Sequence, residues 1–287
     1  MALILVSLLE ESGGARSQLS WLIARDFVSW KGIGKKTMKN MFAKIAATAA
    51  STVALSVAIA QTAPKAEAIS LTISNPGFET PVLGDNEYTI REIPGWQAYD
   101  PNNFLSTPPG EVVNYAVLNP ATYSYPGEAP EGNNVGALYV ALPPGSGVFG
   151  LTQILSSVLM ANTTYNLQVQ VGNTAPDEYV EPGFPGYAVQ LLAGGNLIAE
   201  DYNTLNPAEG FFATSMVNYT ASANDPNLGK PLEIRLLHLA QNPGTELGFD
   251  DVRLDATKVP EPTSILGLLG LGAIGAASAF KKKQHSA

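Results

Sequence analysis

The stretch TYNLQVQVGN, residues 164–173, alternates with a period of two. Tyr165, Leu167, Val169 and Val171 fall on one side of an extended chain, and Asn166, Gln168 and Gln170 on the other. Only a β-strand with one face in a core and one face turned outward suits that pattern. NVGALYVAL (134–142), GYAVQLLAG (186–194), PLEIRLLHLA (231–240) and FDDVRLDA (249–256) read likewise, and SLTIS (70–74) reads as the first strand. Between them lie segments such as PNNFLSTPPG (101–110) and APDEYVEPGFPG (175–186), rich in residues that end strands and make turns. No long amphipathic helix pattern intervenes. Roughly eight short strands divided by Pro/Gly loops predict an all-β fold, an antiparallel β-sandwich with jelly-roll topology.

This pattern occupies residues 69–256, and the composition changes on both sides of it. A linker, 257–263, contains Pro260-Glu261-Pro262, where each proline holds itself and its predecessor in extended geometry. Residues 264–280 are uncharged and just long enough to span a bilayer as a helix, and Lys281, Lys282 and Lys283 open a basic tail, 281–287. Basic residues beside an apolar span stay cytoplasmic, so the tail belongs inside and the rest of the chain outside. The order Pro-Glu-Pro, short span, basic end resembles the PEP-CTERM sorting signal of Gram-negative bacteria. That resemblance implies transient anchoring in the inner membrane, recognition and cleavage by an exosortase, and delivery to the cell surface or beyond.

The N-terminal side agrees. Residues 41–68 read as a signal peptide: a lysine near the start, an apolar stretch, then Ala66 and Ala68 as a small-x-small site for signal peptidase. The mature chain is then expected to begin near Ile69. Residues 1–40 are either a leader extension or the product of a start codon placed too early, with Met38 or Met41 the better start.

Without these ends the domain is strongly acidic. Residues 69–259 hold five Lys or Arg against twenty Asp or Glu, a net charge of −15. Such a surface repels nucleic acid and anionic lipid and attracts divalent cations. There is no cysteine, so an exported domain of this kind must rely on its core, with or without a metal ion. The only histidines are His238, which shares the apolar face of Leu232, Ile234 and Leu236, and His285 in the tail. A histidine-based triad or hydrolase metal cluster is thereby excluded, whereas twenty acids leave a carboxylate pair open.

Four further motifs, NPGFE (75–79), IPGW (93–96), LTQIL with TTYNLQVQVGN (151–173) and GFDDVRL (248–254), are similar in order to the galactose-binding-like jelly-roll family, which includes many carbohydrate-binding modules. The resemblance implies a non-catalytic module that binds extracellular polysaccharide, with one structural calcium ion. Sugar recognition needs aromatic faces and nearby amides, and the loops offer Tyr115, Tyr123, Tyr125, Asn133, Asn134, Tyr179 and Tyr187. Trp96 reads as a core plug. In the resembled fold the first and last strands lie side by side, which brings Glu79 toward Asp250 or Asp251 as candidate calcium ligands. Alternation in FDDVRLDA puts Asp250 with Val252 and Leu254, and Asp251 with Arg253 and Asp255. Not an enzyme, but an exosortase-sorted glycan-binding or matrix protein, is the expectation. An exported polysaccharide or ester hydrolase and a purely structural surface protein are the alternatives.

Overall fold

The computed structural model describes residues 67–106, 112–120 and 124–259. The signal-peptide and sorting-helix expectations, and Tyr123, lie outside the described residues. The fold is all-β: two antiparallel sheets packed face to face as a jelly roll, with a 3-10 turn at Phe104–Ser106. The strands are β1 (Ala68–Ser70), β2 (Gln97–Tyr99), β3 (Val113–Leu118), β4 (Val135–Val140), β5 (Phe149–Val158), β6 (Thr163–Asn173), β7 (Tyr187–Ala193), β8 (Asn196–Tyr202), β9 (Phe211–Ala221), β10 (Pro231–His238) and β11 (Thr245–Lys258). One sheet runs β3-β4-β11-β6-β9, with β1 also on β11, and the other β2-β5-β10-β7-β8.

The period-two strand is β6, in the middle of the larger sheet. Its Tyr165, Leu167, Val169 and Val171 are buried against Leu151, Val189, Leu191, Ile234 and Leu236 of the facing sheet. Each apolar residue on that face leaves water at roughly 25 cal/mol per Å², which makes register costly to change. Trp96 is buried and stacks on Phe78 with ring centres 5.6 Å apart, while its indole N–H donates to the carbonyl of Asn75. His238 is fully buried, and that burial holds its imidazole down to about 3, so it is neutral throughout the physiological range.

Two expectations need correction. Strands β2, β3, β5, β8 and β9 went unread, β1 ends at Ser70 where the first strand was expected over 70–74, and β9 shows why its pattern is weak, with exposed Phe211 and Met216 beside buried Ser215 and Val217. More consequentially, the alternation read in FDDVRLDA is broken by a bulge. Asp250 pairs with Gln170 and Arg253 with Gln168, so Asp251 is an extra residue, and it adopts a left-handed φ of 48°. Phe249, Val252 and Leu254 therefore all belong to the core, and Asp250 faces outward with Glu246 and Gly248.

Candidate active site

The outward face of β3, β4 and β11 is not solvated sheet but the floor of a cavity of about 380 Å³. Register builds that floor in two rows. Asn114, Tyr139 and Glu246 pair across the three strands, and so do Ala116, Ala137 and Gly248. The first row is polar and aromatic. The second is small, which leaves room above it. Tyr88 and Ile90, preceding β2, Ser124, preceding β4, and Thr174 to Val180, following β6, make the walls.

Backbone hydrogen bonds hold these walls to the floor. The Thr174 N–H donates to the carbonyl of Glu246 at 3.3 Å, that of Ala175 to Ser124 at 3.1 Å and that of Glu181 to Gly244 at 2.8 Å. The carboxylate of Asp177 accepts from the N–H groups of Tyr179, at 2.7 Å, and Val180, at 2.9 Å, closing a tight turn that sets Tyr179 at the mouth. Tyr88 stands at the same rim, and both rings are largely exposed. Asn114 is fixed by Arg91, whose Nε donates to its Oδ1 at 3.3 Å while other guanidinium nitrogens donate to the carbonyls of Leu105 and Val113.

Glu246 is the chemical centre of the arrangement. Its side chain is partly open to the cavity yet otherwise walled by protein. Burial pushes its carboxyl up to about 7; the hydroxyl of Thr174, donating to Oε1 at 3.1 Å, opposes that rise, and the charge of Asp177 adds to it. Burial and the charges of Glu181 and Glu246 likewise raise the phenol of Tyr139. None of the described residues lining the cavity is Lys, Arg or His. A carboxylic acid that keeps its proton near neutrality, in an aromatic pocket, is equipped to be a proton donor.

The expected sugar-binding residues do not assemble there. Tyr115 points inward against Phe149 at 6.2 Å and donates to the carbonyl of Arg91. Tyr187 is buried and donates to Asp201 at 2.5 Å. Tyr125 is buried beneath the cavity, stacked on Phe212 at 4.4 Å, its hydroxyl 2.9 Å from that of Thr174. Asn133 and Asn134 both donate their N–H to Glu79 Oε1, at 2.9 and 2.7 Å. Of the six that are described, only Tyr179 lines the cavity. The sequence reading missed Glu246, Tyr139, Thr174 and Tyr88. An acid isolated in an apolar strand beside a glycine, as in TELGF (245–249), was the available signal.

The expected calcium ligands separate into two and one. Asp250 is buried and accepts the N–H of Glu131 at 2.8 Å and of Asp251 at 2.6 Å, close to Glu79 on the same loop. Burial pushes its carboxyl up to about 8, the two N–H donors oppose that, and the charges of Glu131 and Asp251 reinforce it. The bulge turns Asp251 away into an ion pair with Arg253 at 2.7 Å. Among the described residues no three acidic or histidine side chains converge at metal-ligand spacing.

Residues 69–255 match the family model of HpiC1 cyclase, and residues 258–283 match that of the PEP-CTERM protein-sorting motif. An apo-form cyclase from Fischerella sp. is 39% identical in sequence, with a TM-score of 0.64, over 68% of this chain and 98% of its own. The Stig cyclase Fisc from Fischerella sp. TAU, solved with (3Z)-3-(1-methyl-2-pyrrolidinylidene)-3H-indole, is 40% identical, with a TM-score of 0.64, over 68% of this chain and all of its own. A cyclase from the same source, solved with 4-(1H-indol-3-yl)butan-2-one, is 40% identical, with a TM-score of 0.61, over 67% and 100%. No sequence among the curated proteins matches. These matches overturn the expectation of a non-catalytic glycan-binding or matrix module, and with it both alternatives. The relatives at 39–40% identity are cyclases. The jelly-roll part of the earlier resemblance stands; the function attached to it does not.

Proposed function

The chain belongs to the HpiC1-like cyclase family, and on that premise we propose that it is an enzyme that closes a ring on an indole-bearing substrate by acid catalysis. The observation that carries this reading is Glu246, whose carboxyl burial raises to about 7, on the floor of a cavity that also holds Tyr88, Tyr139, Tyr179 and the small residues Ala116 and Ala137. The cavity's volume of about 380 Å³ falls in the range of small-molecule sites. Solved relatives bear indole ligands, and flat rings of that kind suit the faces of Tyr139 and the rim tyrosines.

In the proposed step Glu246 gives its proton to an unsaturated carbon of the substrate. The electron-poor carbon so formed is attacked by a π bond elsewhere in the same molecule, making the ring. Loss of a proton from the closed product returns it to the Glu246 carboxylate. The sum is an isomerisation, with no oxidant or reductant. Tyrosine faces favour the transient cation, and the walls keep water from capturing it. The test is incubation of the purified protein with indoles bearing unsaturated side chains, followed by chromatography and mass spectrometry. Cyclic products of unchanged mass are expected, and Glu246→Gln is expected to abolish them; their persistence in Glu246→Gln would refute the acid role.

The sorting motif marks the chain for export and exosortase-linked processing at the membrane. We infer further that signal peptidase removes residues up to about Ala68, and that the processed enzyme works at the cell surface or outside it. The corner of Glu79 and Asp250 is also proposed to hold one calcium ion. Its chemistry fits: the side-chain partners there are acidic, an added Cβ at Gly77 would fall 1.8 Å from Glu131 Oε2 and 3.6 Å from Asp250 Oδ1, and the buried Oδ1 of Asn134 makes no hydrogen bond. Glu79, Asp250 and loop carbonyls would supply the oxygens, and the ion would keep the carboxylates charged.

A further inference from the structure

Beneath the cavity, side chains from three separate segments form one line of oxygen atoms. Tyr125 comes from the loop before β4, Thr174 from the end of β6 and Glu246 from β11. The Thr174 hydroxyl lies 2.9 Å from the Tyr125 hydroxyl and 3.1 Å from Glu246 Oε1. Thr174 owns a single proton. When it donates that proton to Glu246, it must accept the proton of Tyr125.

The polarity of the line is set at its acid end, where the Thr174 hydroxyl donates its one proton to Oε1 of Glu246. The phenol's own proton is left for Thr174, its hydroxyl partner. Each hydroxyl then points the same way, from Tyr125 to Thr174 to Glu246. Oε1 of Glu246 is occupied as an acceptor, so the carboxyl's proton rests on Oε2. That oxygen makes no hydrogen bond to another described residue.

We propose that Tyr125 and Thr174 are positioning residues that hold the proton of Glu246 on Oε2, the oxygen left to the substrate. The inference rests on the acid role assigned to Glu246. Without the relay, the protonated carboxyl can rotate and spend its hydrogen bond on its neighbours, and the fraction aimed at substrate falls. The packing commits two glycines to this arrangement. An added Cβ at Gly248 would stand 2.4 Å from the Tyr125 oxygen, and one at Gly172 would stand 2.4 Å from the ring of Phe212, on which Tyr125 stacks. Bare backbone at both positions lets the two rings lie flat on the sheet.

The other titratable groups facing Glu246 are Asp177, from the segment after β6, and Tyr139, on β4; Glu181 lies beyond Tyr139. None of them bridges Thr174 and Glu246, so removing the Thr174 hydroxyl isolates the relay.

The experiment is carbon NMR of the purified protein labelled at the glutamate carboxyl carbon, titrated without substrate, with Glu246→Gln identifying the resonance. Glu246 is expected to titrate near 7 in the wild type. Its midpoint should rise in Thr174→Val and in Tyr125→Phe, because the charged form loses a donor or the donor loses its orientation. Thr174→Ser should restore it. In the cyclisation assay Thr174→Val should lower kcat by about tenfold with KM nearly unchanged, and Thr174→Ser should recover most of the loss. An unmoved midpoint in Thr174→Val overturns the proposal, as does equal loss of turnover in Thr174→Val and Thr174→Ser. Because the titration needs no substrate, a relay that shifts the midpoint while Glu246→Gln keeps full turnover would locate the failure in the acid role instead. If Tyr125→Phe does not fold, the Thr174 pair decides alone.

Discussion

The hydroxyl of Tyr125 occupies the space that a side chain at Gly248 would need, since a Cβ there would stand 2.4 Å from the phenol oxygen. The backbone of one strand thus sets the position of a ring carried by a distant loop. Gly248→Ala is expected to push the ring off the sheet, destabilise the fold by about 1–3 kcal/mol and reduce turnover, because the Thr174 bond is lost with the ring's position. Chemical denaturation and the cyclisation assay check this together, and an alanine variant with wild-type stability would show that the ring has another resting place.

Glu246 also gives stability a pH dependence. Its folded-state carboxyl lies at about 7 against an ordinary 4.5, so the folded protein keeps a proton that the unfolded chain gives up. The contribution is complete below about 4.5 and is lost as pH rises through about 7. Glu246→Gln should therefore flatten that part of the stability profile and be the more stable form at alkaline pH. Turnover in the wild type should fall over the same range, as the proton donor is lost. Urea midpoints and initial rates across this window provide the measurement, and a wild-type rate that climbs above neutrality would count against the donor role.

Calcium should raise the melting temperature of the purified protein, and chelator should lower it. At a hundredfold excess over Kd the ion would add about 2.7 kcal/mol. Glu79→Gln and Asp250→Asn should each remove the response. A metal-free sample, verified by elemental analysis, that melts at the same temperature with and without calcium would leave Asp250 to its two backbone donors.

Processing should leave a surface or released species that starts near Ile69 and ends near Pro260–Pro262. Mass spectrometry of its terminal peptides settles both ends. Mature material still carrying Lys281–Lys283 would contradict removal of the tail, and alanines at Pro260, Glu261 and Pro262 should leave precursor in the inner membrane.

The parts of this molecule that could be read from its sequence are those with one simple job. Tyr165, Leu167, Val169 and Val171 only fill a core, and their spacing announces it. The NPGFE and IPGW motifs also had a legible place in the fold, but their work is local. The Asn75 side chain donates to the carbonyls of Thr80 and Pro94 and accepts the N–H of Thr80, so it binds its own loop rather than a ligand. Motifs of that kind are shared by jelly rolls of many functions, which is why they pointed to sugar binding. Glu246 was hidden because a cavity acid is defined by what faces it. Tyr139, Asn114 and the pair Thr174 and Asp177 come from three other places in the chain, and pairing register alone joins the first two to it. The bulge at Asp251 was hidden for a related reason: one inserted residue reverses every facing before it, and nothing in FDDVRLDA marks the insertion.

The pairing of β11 bears on timing. This strand hydrogen-bonds to β6 along most of its length, to β4 at its start and to β1 at its end, where Ala68 faces Thr257. It is also the last of the described strands in chain order. The larger sheet therefore stays open, its central place empty, until β11 is in place, and the sorting motif follows directly at residues 258–283. Closure of the sheet sets Ala68 opposite Thr257, near the two ends of the domain, so the acid on β11 is installed in the same step that joins those ends.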